Sequence, residues 1–358
     1  MIASAGVMTA GIEPPLRVSA PADADEKRRR RTLFSRAARA EGFRRIGVAA
    51  AGPAPRTAEF ERWLDAGFHA SMRYLERSRE LRGDARSLLP GARSVVVLAH
   101  AYPAGDPSAA DGTRTARYAL AEDYHRTLRR KCERVVDAVR ASGVSFAARV
   151  CVDSAPLAER AFAAAAGIGW IGKNGMLMNA EDGSWLLLCE IVTDLELPID
   201  APEAERCGSC TRCLDACPTG AFPRPGVVDA NRCLSYWTIE QRGVIPEEIA
   251  RKTGGWVFGC DVCQEVCPYN AAVDTGAFER RPPALAELLA TRAAEWKRRF
   301  GDTPLARAGA AGMRRNAAAA AEGLARRALL PALAPLAGGK HPVVAEQAAR
   351  AIRALGTG

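Results

Sequence analysis

No apolar run in this 358-residue chain approaches the ~18–20 residues that a membrane-crossing helix needs. The longest, Val95 to Ala101 and Trp185 to Val192, have strand length. A secretory core is missing too. Arg30-Arg31-Thr32-Leu33-Phe34 resembles a twin-arginine signal, but Ser35 to Gly47 behind it is charged. Histidine is scarce: His69, His100, His125 and His341 stand alone, and no HExxH or paired-ligand spacing occurs. His125, within Asp123-Tyr124-His125, reads as structural on a helix. These absences predict a cytoplasmic protein with no membrane partner. An unstructured Ala/Pro-rich leader over 1–26 precedes a basic helix.

Cysteine, by contrast, is abundant. Eight of the eleven lie between Cys207 and Cys267, while Cys132, Cys151 and Cys189 are scattered. A disulfide framework suits small secreted domains, so thiolate ligation in a reducing compartment is favoured. Cys207-x2-Cys210-x2-Cys213-x3-Cys217-Pro218 is the bacterial ferredoxin run. Three thiolates on one curling loop hold one cube, and the fourth reaches the other. Zinc is the rival, because paired CxxC units build tetrahedral sites, but zinc sites rarely use a three-Cys ladder ending in Cys-Pro. The second run, Cys260-x2-Cys263-x3-Cys267-Pro268, lacks its first cysteine. Cys233 is the candidate, which makes the segment between Cys233 and Cys260 an inserted loop. Ferredoxin-type exchange then assigns Cys207, Cys210, Cys213 and Cys267 to cluster one. It assigns Cys217, Cys233, Cys260 and Cys263 to cluster two.

The net charge of +9 is unevenly placed. From residue 280 onward there are 14 Lys/Arg against 5 Asp/Glu, and the rest balances. A basic appendage on a neutral body suggests a polyanionic partner, nucleic acid first. Alternating helices and strands predict an α/β or α+β body. The helices are 28–41, 123–142 and 155–166. The strands are 45–50, 94–102, 144–152 and 184–193. The expected domains are the leader 1–26, an α/β body 27–198, a cluster domain 199–280 and a basic helical domain 281–358. In the last, amphipathic stretches at 314–330 and 342–355, parted by Gly338-Gly339, resemble one HEAT-type repeat.

Gly167-x-Gly169-x-x-Gly172 matches a dinucleotide fingerprint but follows a helix rather than a strand, which argues for close backbone approach to a ligand or a tight turn instead. Asp153 closes a strand and precedes Ser154-Ala155-Pro156. It is either a helix-start residue or an acid whose pKa burial would have to raise.

Several segments together resemble one family, epoxyqueuosine reductase, over about residues 33 to 355. In the body they are Leu81-Arg82 before Leu88-Leu89-Pro90-Gly91-Ala92, then Ala116-Arg117-Tyr118 and Asp123-Tyr124-His125. Val152-Asp153-Ser154-Ala155-Pro156 follows, and then Ala166 to Asn174 (Ala-Gly-Ile-Gly-Trp-Ile-Gly-Lys-Asn). Around the clusters they are the Cys ladder with Pro218-Thr219-Gly220-Ala221, Arg232-Cys233-Leu234-Ser235-Tyr236 and Gly259-Cys260-Asp261-Val262-Cys263-Gln264. Thr303-Pro304-Leu305 and Arg315-Asn316-Ala317 come last.

The resemblance implies an α+β protein. It would have a nitroreductase-like or reductive-dehalogenase-like body, a ferredoxin-like domain with two 4Fe-4S clusters, and a HEAT-like repeat. It implies reduction of the epoxide of epoxyqueuosine to the alkene, with loss of water, at the wobble position of a tRNA with a GUN anticodon. Cobalamin would be bound base-off, without a protein histidine ligand, and an external low-potential donor would supply electrons. By the same resemblance Asp153 is the proton donor, and Arg82, Asp153, Lys173, Leu177, Leu188, Ser235 and Asp261 contact cobalamin. Arg242, Arg307, Arg314 and Arg315 contact tRNA, so binding would weaken steeply with salt. Ala116 stands where some members carry a cysteine. Two other classes fit part of the pattern. A cobalamin-dependent reductive dehalogenase predicts an export signal, and a ferredoxin-type carrier predicts a much shorter chain.

Overall fold

The computed structural model describes residues 23–273 and 276–356. Helix α1 (Ala24–Ala40) starts where the Asp23 carboxylate accepts the Glu26 amide at 2.8 Å, with Asp25 and Glu26 in its first turn. That is four residues before the expected start, because an acidic cap and not the arginine run nucleates it. Most of the expected leader, residues 1–22, lies outside the described residues.

Strands β1 (Arg45–Ala50), β2 (Ser94–Ala101), β3 (Ala148–Cys151) and β4 (Leu186–Thr193) form one sheet in the order β1-β2-β4-β3. Every pairing in it is antiparallel. The two central strands are apolar throughout because both faces are covered. On one face, α1 and α2 (Tyr124–Ala141) bury Phe34, Leu128, Cys132 and Val135 on Val96, Leu98, Cys189 and Ile191. On the other, α3 (Glu159–Ala165) sets Phe162 and Ala163 on Val95, Val97, Leu188 and Val192. Successive strand residues thus feed opposite layers, and the body is a three-layer α+β sandwich.

The glycine fingerprint builds a hairpin rather than a dinucleotide turn. Trp170–Ile171 pairs with Leu177–Met178. A Cβ on Gly169 would stand 1.9 Å from the Met178 carbonyl oxygen, and one on Gly167 2.5 Å from that of Ala201. The hairpin leaves the body and grips the cluster domain. There Trp170 Nε1 donates to Cys207 Sγ at 3.5 Å, and Lys173 Nζ donates to the carbonyls of Gly208 (2.6 Å) and Cys210 (3.0 Å).

The cluster domain has only short helices, of which α4 (Leu234–Ile239) follows Cys233. A parallel bridge from Arg114–Thr115 to Trp256–Phe258 ties its inserted loop to the body. Three C-terminal helices, α5 (Gly309–Gly323), α6 (Leu330–Ala337) and α7 (Pro342–Gly356), pack on that loop. Ala317 to Ala321 are fully buried, since a methyl surface lets neighbouring backbone approach closely.

Gly169→Ala is expected to lower stability by about 3 kcal/mol, the upper range for forcing atoms into a packed site. Urea midpoints of the two proteins check this.

Candidate active site and cluster ligands

A cavity of about 650 Å³ opens where the three parts meet. The body contributes Tyr74, Arg82, Tyr118, Tyr124, His125 and Asp153. The cluster domain contributes Ile239, Glu240 and Phe258, and the C-terminal part contributes Pro304 and Arg307.

Asp153 sits two residues past β3 with φ +47°, the left-handed region. That conformation costs a non-glycine residue about 1 kcal/mol, which the surroundings must offset. They do so on both sides. The Asp153 amide donates to Glu159 Oε1 at 2.5 Å. Its carboxylate Oδ2 accepts from Tyr124 Oη at 3.0 Å and pairs with His125 Nε2 at 2.7 Å. His125 Nδ1 lies 2.7 Å from Asp123 Oδ1. Both ring nitrogens therefore face carboxyl oxygens, an arrangement that favours the doubly protonated ring. Bonding to Asp153 first, and to Asp123 as well, lifts His125 above its ordinary pKa against the opposing effect of burial. Burial raises the Asp153 carboxyl, but the bond and charge of His125 outweigh it, and the net shift is downward.

Two expectations change here. Burial alone does not set the Asp153 carboxyl, because its bond to His125 outweighs the upward push of burial. His125 is not merely structural. The signal was present: Asp123 caps α2 through the His125 amide (3.1 Å), which places this ring beside the cap.

Neighbouring cysteines push one another's thiol pKa values up. Cys213 senses Cys207, Cys267 and Cys210, and Cys267 senses Cys207 and Cys210. Cys260 senses Cys233 and Cys217, and Cys263 senses Cys260 and Cys233. Cys263 also senses Cys213, so the two expected cluster sites are neighbours. Backbone amides point at the sulfurs: Ala221 at Cys217 (3.2 Å), Ser235 and Tyr236 at Cys233, Val262 at Cys260, and Tyr269 and Asn270 at Cys267.

The remaining expected contacts do not converge. Of the seven for cobalamin, Arg82 and Asp153 line the cavity. Arg82 is fixed there by Ser78 Oγ and the Leu157 carbonyl, each at 3.0 Å. Lys173 lies over cluster one's loop, in a crevice of about 260 Å³ with Arg206 and Arg212. Leu177 and Leu188 are buried in the α3 layer. Ser235 stands beside Cys233 on α4. Asp261 is 2% exposed and is held by Arg117 through its amide (2.9 Å) and guanidinium (3.1 Å), so it is enclosed rather than open to a ligand. Burial pushes it up to about 6 despite that partner.

Among the tRNA candidates, Arg242 is exposed, and Arg307 lines the cavity while pairing with Glu240 at 2.7 Å. Arg314 is half-buried and bonds the Thr291 carbonyl. Arg315 is a correction. It is 2% exposed and spends its guanidinium on the carbonyls of Trp237, Gln241 and Gly243, so no phosphate can reach it.

Comparison with known proteins decides the family. A curated epoxyqueuosine reductase from Gloeobacter violaceus is 42% identical over 299 residues, 79% of this chain and 93% of that protein. This chain belongs to the epoxyqueuosine reductase family. Residues 82–154 match the family model described as epoxyqueuosine reductase QueG, DUF1730, and residues 206–270 match a 4Fe-4S double cluster binding domain. Two crystal structures of epoxyqueuosine reductases superpose over 92% of this chain and 91% of theirs. One holds an epoxyqueuosine-modified tRNA-Tyr stem loop (33% identity, TM-score 0.86). The other, from Bacillus subtilis, has its catalytic aspartate loop swung out of the active site (32% identity, TM-score 0.85).

The donor set fits such clusters: Cys207, Cys210, Cys213, Cys217, Cys233, Cys260, Cys263 and Cys267 all lie within the matched double-cluster domain. Burial pushes the Cys233, Cys260 and Cys263 thiols up, so a cationic metal centre is what would keep them ionised.

Cys233→Ser is expected to remove about half of the iron, leaving cluster one, and Cys213→Ser the other half. Iron and sulfide assays with EPR of the reduced proteins check the partition. Asp123→Asn keeps the cap of α2 but weakens the acceptor on His125. The imidazolium, present below its raised pKa and lost as pH rises through it, should then be lost at lower pH. A pH–rate profile whose alkaline limb does not move down would count against the assignment.

Proposed function

We propose that this protein is an oxidoreductase that reduces the epoxide of epoxyqueuosine at the tRNA wobble position to the alkene of queuosine. The carbon–oxygen bonds of the ring give way to a carbon–carbon double bond, and two electrons and two protons carry the oxygen off as water. One observation carries the reading: the paired His125 and Asp153 face a cavity that residues of the cluster domain also line. A carrier of electrons alone has no use for a stored proton. The relative holding an epoxyqueuosine-modified stem loop supports the same substrate.

Cobalamin fits this cavity in one chemical respect. Both nitrogens of its histidine are engaged by carboxylates, so no imidazole there is free to bind a metal, as a base-off cofactor without a protein histidine ligand requires. Arg82 and Asp153 would line its site, with Tyr118 and Phe258 as apolar wall. When bound, the clusters would supply electrons singly, from an external low-potential donor, and cobalamin the centre that breaks the carbon–oxygen bond. The protein's own part is the proton. His125 keeps it beside Asp153 Oδ2, Tyr124 Oη and Asp123 fix both groups, and Asp153 passes it to the departing oxygen. Arg307 and Arg242 would meet the phosphates, with Arg314 nearby, and the C-terminal helices would serve as a HEAT-like platform for the anticodon stem.

The test is conversion of epoxyqueuosine-tRNA by anaerobic protein loaded with both clusters and cobalamin, with nucleosides read by mass spectrometry. Asp153→Asn should lower the rate by about 10²–10³-fold, the range for a lost general acid, with tRNA affinity unchanged. An unchanged rate removes Asp153 from the reaction.

A further inference from the structure

Behind Asp153, under α3, lies a glutamate that the cavity's chemistry does not use. Glu190 stands mid-strand in β4, opposite Val97 of β2 and Cys151 of β3. It is 0% exposed, and among the described residues no hydrogen-bond donor reaches either of its carboxylate oxygens. A lone charge there is too costly to persist. Its neighbour is Glu159, the first residue of α3. Burial first, and Asp153's charge second, favour the protonated form of Glu159, and burial and Glu159 do the same for Glu190. Arg82 and Arg160 are the cations facing the pair, and Cys132, Cys151 and Cys189 the thiols around it. Glu159 Oε1 meanwhile accepts the Asp153 amide at 2.5 Å, at the residue with φ +47°.

We propose that Glu159 is the positioning residue for Asp153, its Oε1 latching the left-handed turn that aims the Asp153 carboxylate at His125, and that the buried Glu190 carboxyl behind it keeps Glu159 in place. The proposal rests on reading His125–Asp153 as the acid. In the Bacillus subtilis relative the catalytic aspartate loop is swung out. A latch of one amide hydrogen bond is specific enough to close in one geometry.

Two measurements on the full cluster-bearing chain test it. One is the titration of His125 in 15N-histidine-labelled protein with oxidised clusters and no substrate. The other is single-turnover reduction of epoxyqueuosine-tRNA by the cobalamin-loaded protein. Glu159→Ala should return His125 to the ordinary imidazole range and slow turnover about 100-fold, with tRNA affinity within about 2-fold. Glu159→Gln keeps an accepting oxygen of the same reach and should retain the raised titration and a rate within about 3-fold. Glu190→Leu replaces a buried acid by an apolar isostere and so should fold. It should shift His125 the same way and slow turnover about 10-fold. The latch is overturned if Glu159→Ala or Glu190→Leu leaves the titration of His125 unchanged, or if Glu159→Gln loses it as fully as Glu159→Ala. Failure of the wild type to convert epoxyqueuosine would instead overturn the proposed function, and the His125 readout would still judge the latch.

Discussion

The 2.7 Å contact between His125 and Asp153 is the interaction from which the rest of the site takes its place. Its two halves come from opposite sides of the sheet: His125 opens α2 on one face, and Asp153 lies between β3 and α3 on the other. They meet only past the strand end, and there only because the backbone turns left-handed. An ion pair at that point stores a proton without burying an uncompensated charge. It also leaves one face of the carboxylate open to the cavity. On the proposed reading, electrons must arrive at that cavity from the cluster domain, so the body and that domain cannot be allowed to drift apart.

That requirement explains polar contacts that a simple core would not need. Cluster loops have little regular secondary structure, so their carbonyls need partners from elsewhere. The body's hairpin supplies Lys173 and Trp170. From α5, Arg315 and Asn316 bond the carbonyls of Trp237, Thr238, Gln241, Gly243 and Val257, tying down the inserted loop on both sides. Arg117, buried over the Trp185 ring at 4.7 Å, pairs with Asp261 and Glu265 beside cluster two's ligands. Such buried pairs add little net stability, since desolvation offsets the attraction. What they add is a single permitted arrangement of two domains.

The parts legible in the sequence were those written in local spacing. The cysteine ladder marked the cluster domain because its spacing lies within a few consecutive residues. The strands 45–50 and 94–102 were plain because they are short apolar runs, and the glycine run read as something other than a dinucleotide site because a helix precedes it. Long-range chemistry was hidden. Nothing local shows that His125 reaches Asp153, 28 positions away, or that Glu190 inside an apolar strand faces Glu159. The inserted loop after Cys233 was visible as an anomaly in cysteine spacing. Its clamp, Arg315, looked like one more surface cation.

The basic C-terminal region shows why net charge is a weak guide to contact. Its surplus is real as a sum, yet much of it has internal work. Arg280 pairs with Asp302, Arg299 with Glu287 and Glu295, Arg307 with Glu240, and Arg350 with Glu322, while Arg315 is enclosed altogether. A phosphate backbone reads the local field and not the total. Of the four arginines expected at tRNA, Arg242 and Arg307 are exposed, and Arg307 lines the cavity. Arg307 faces the same cavity as Asp153, and its charge favours the ionised form of that carboxylate, so on the proposed reading one cation bears both on the substrate's phosphates and on the proton donor.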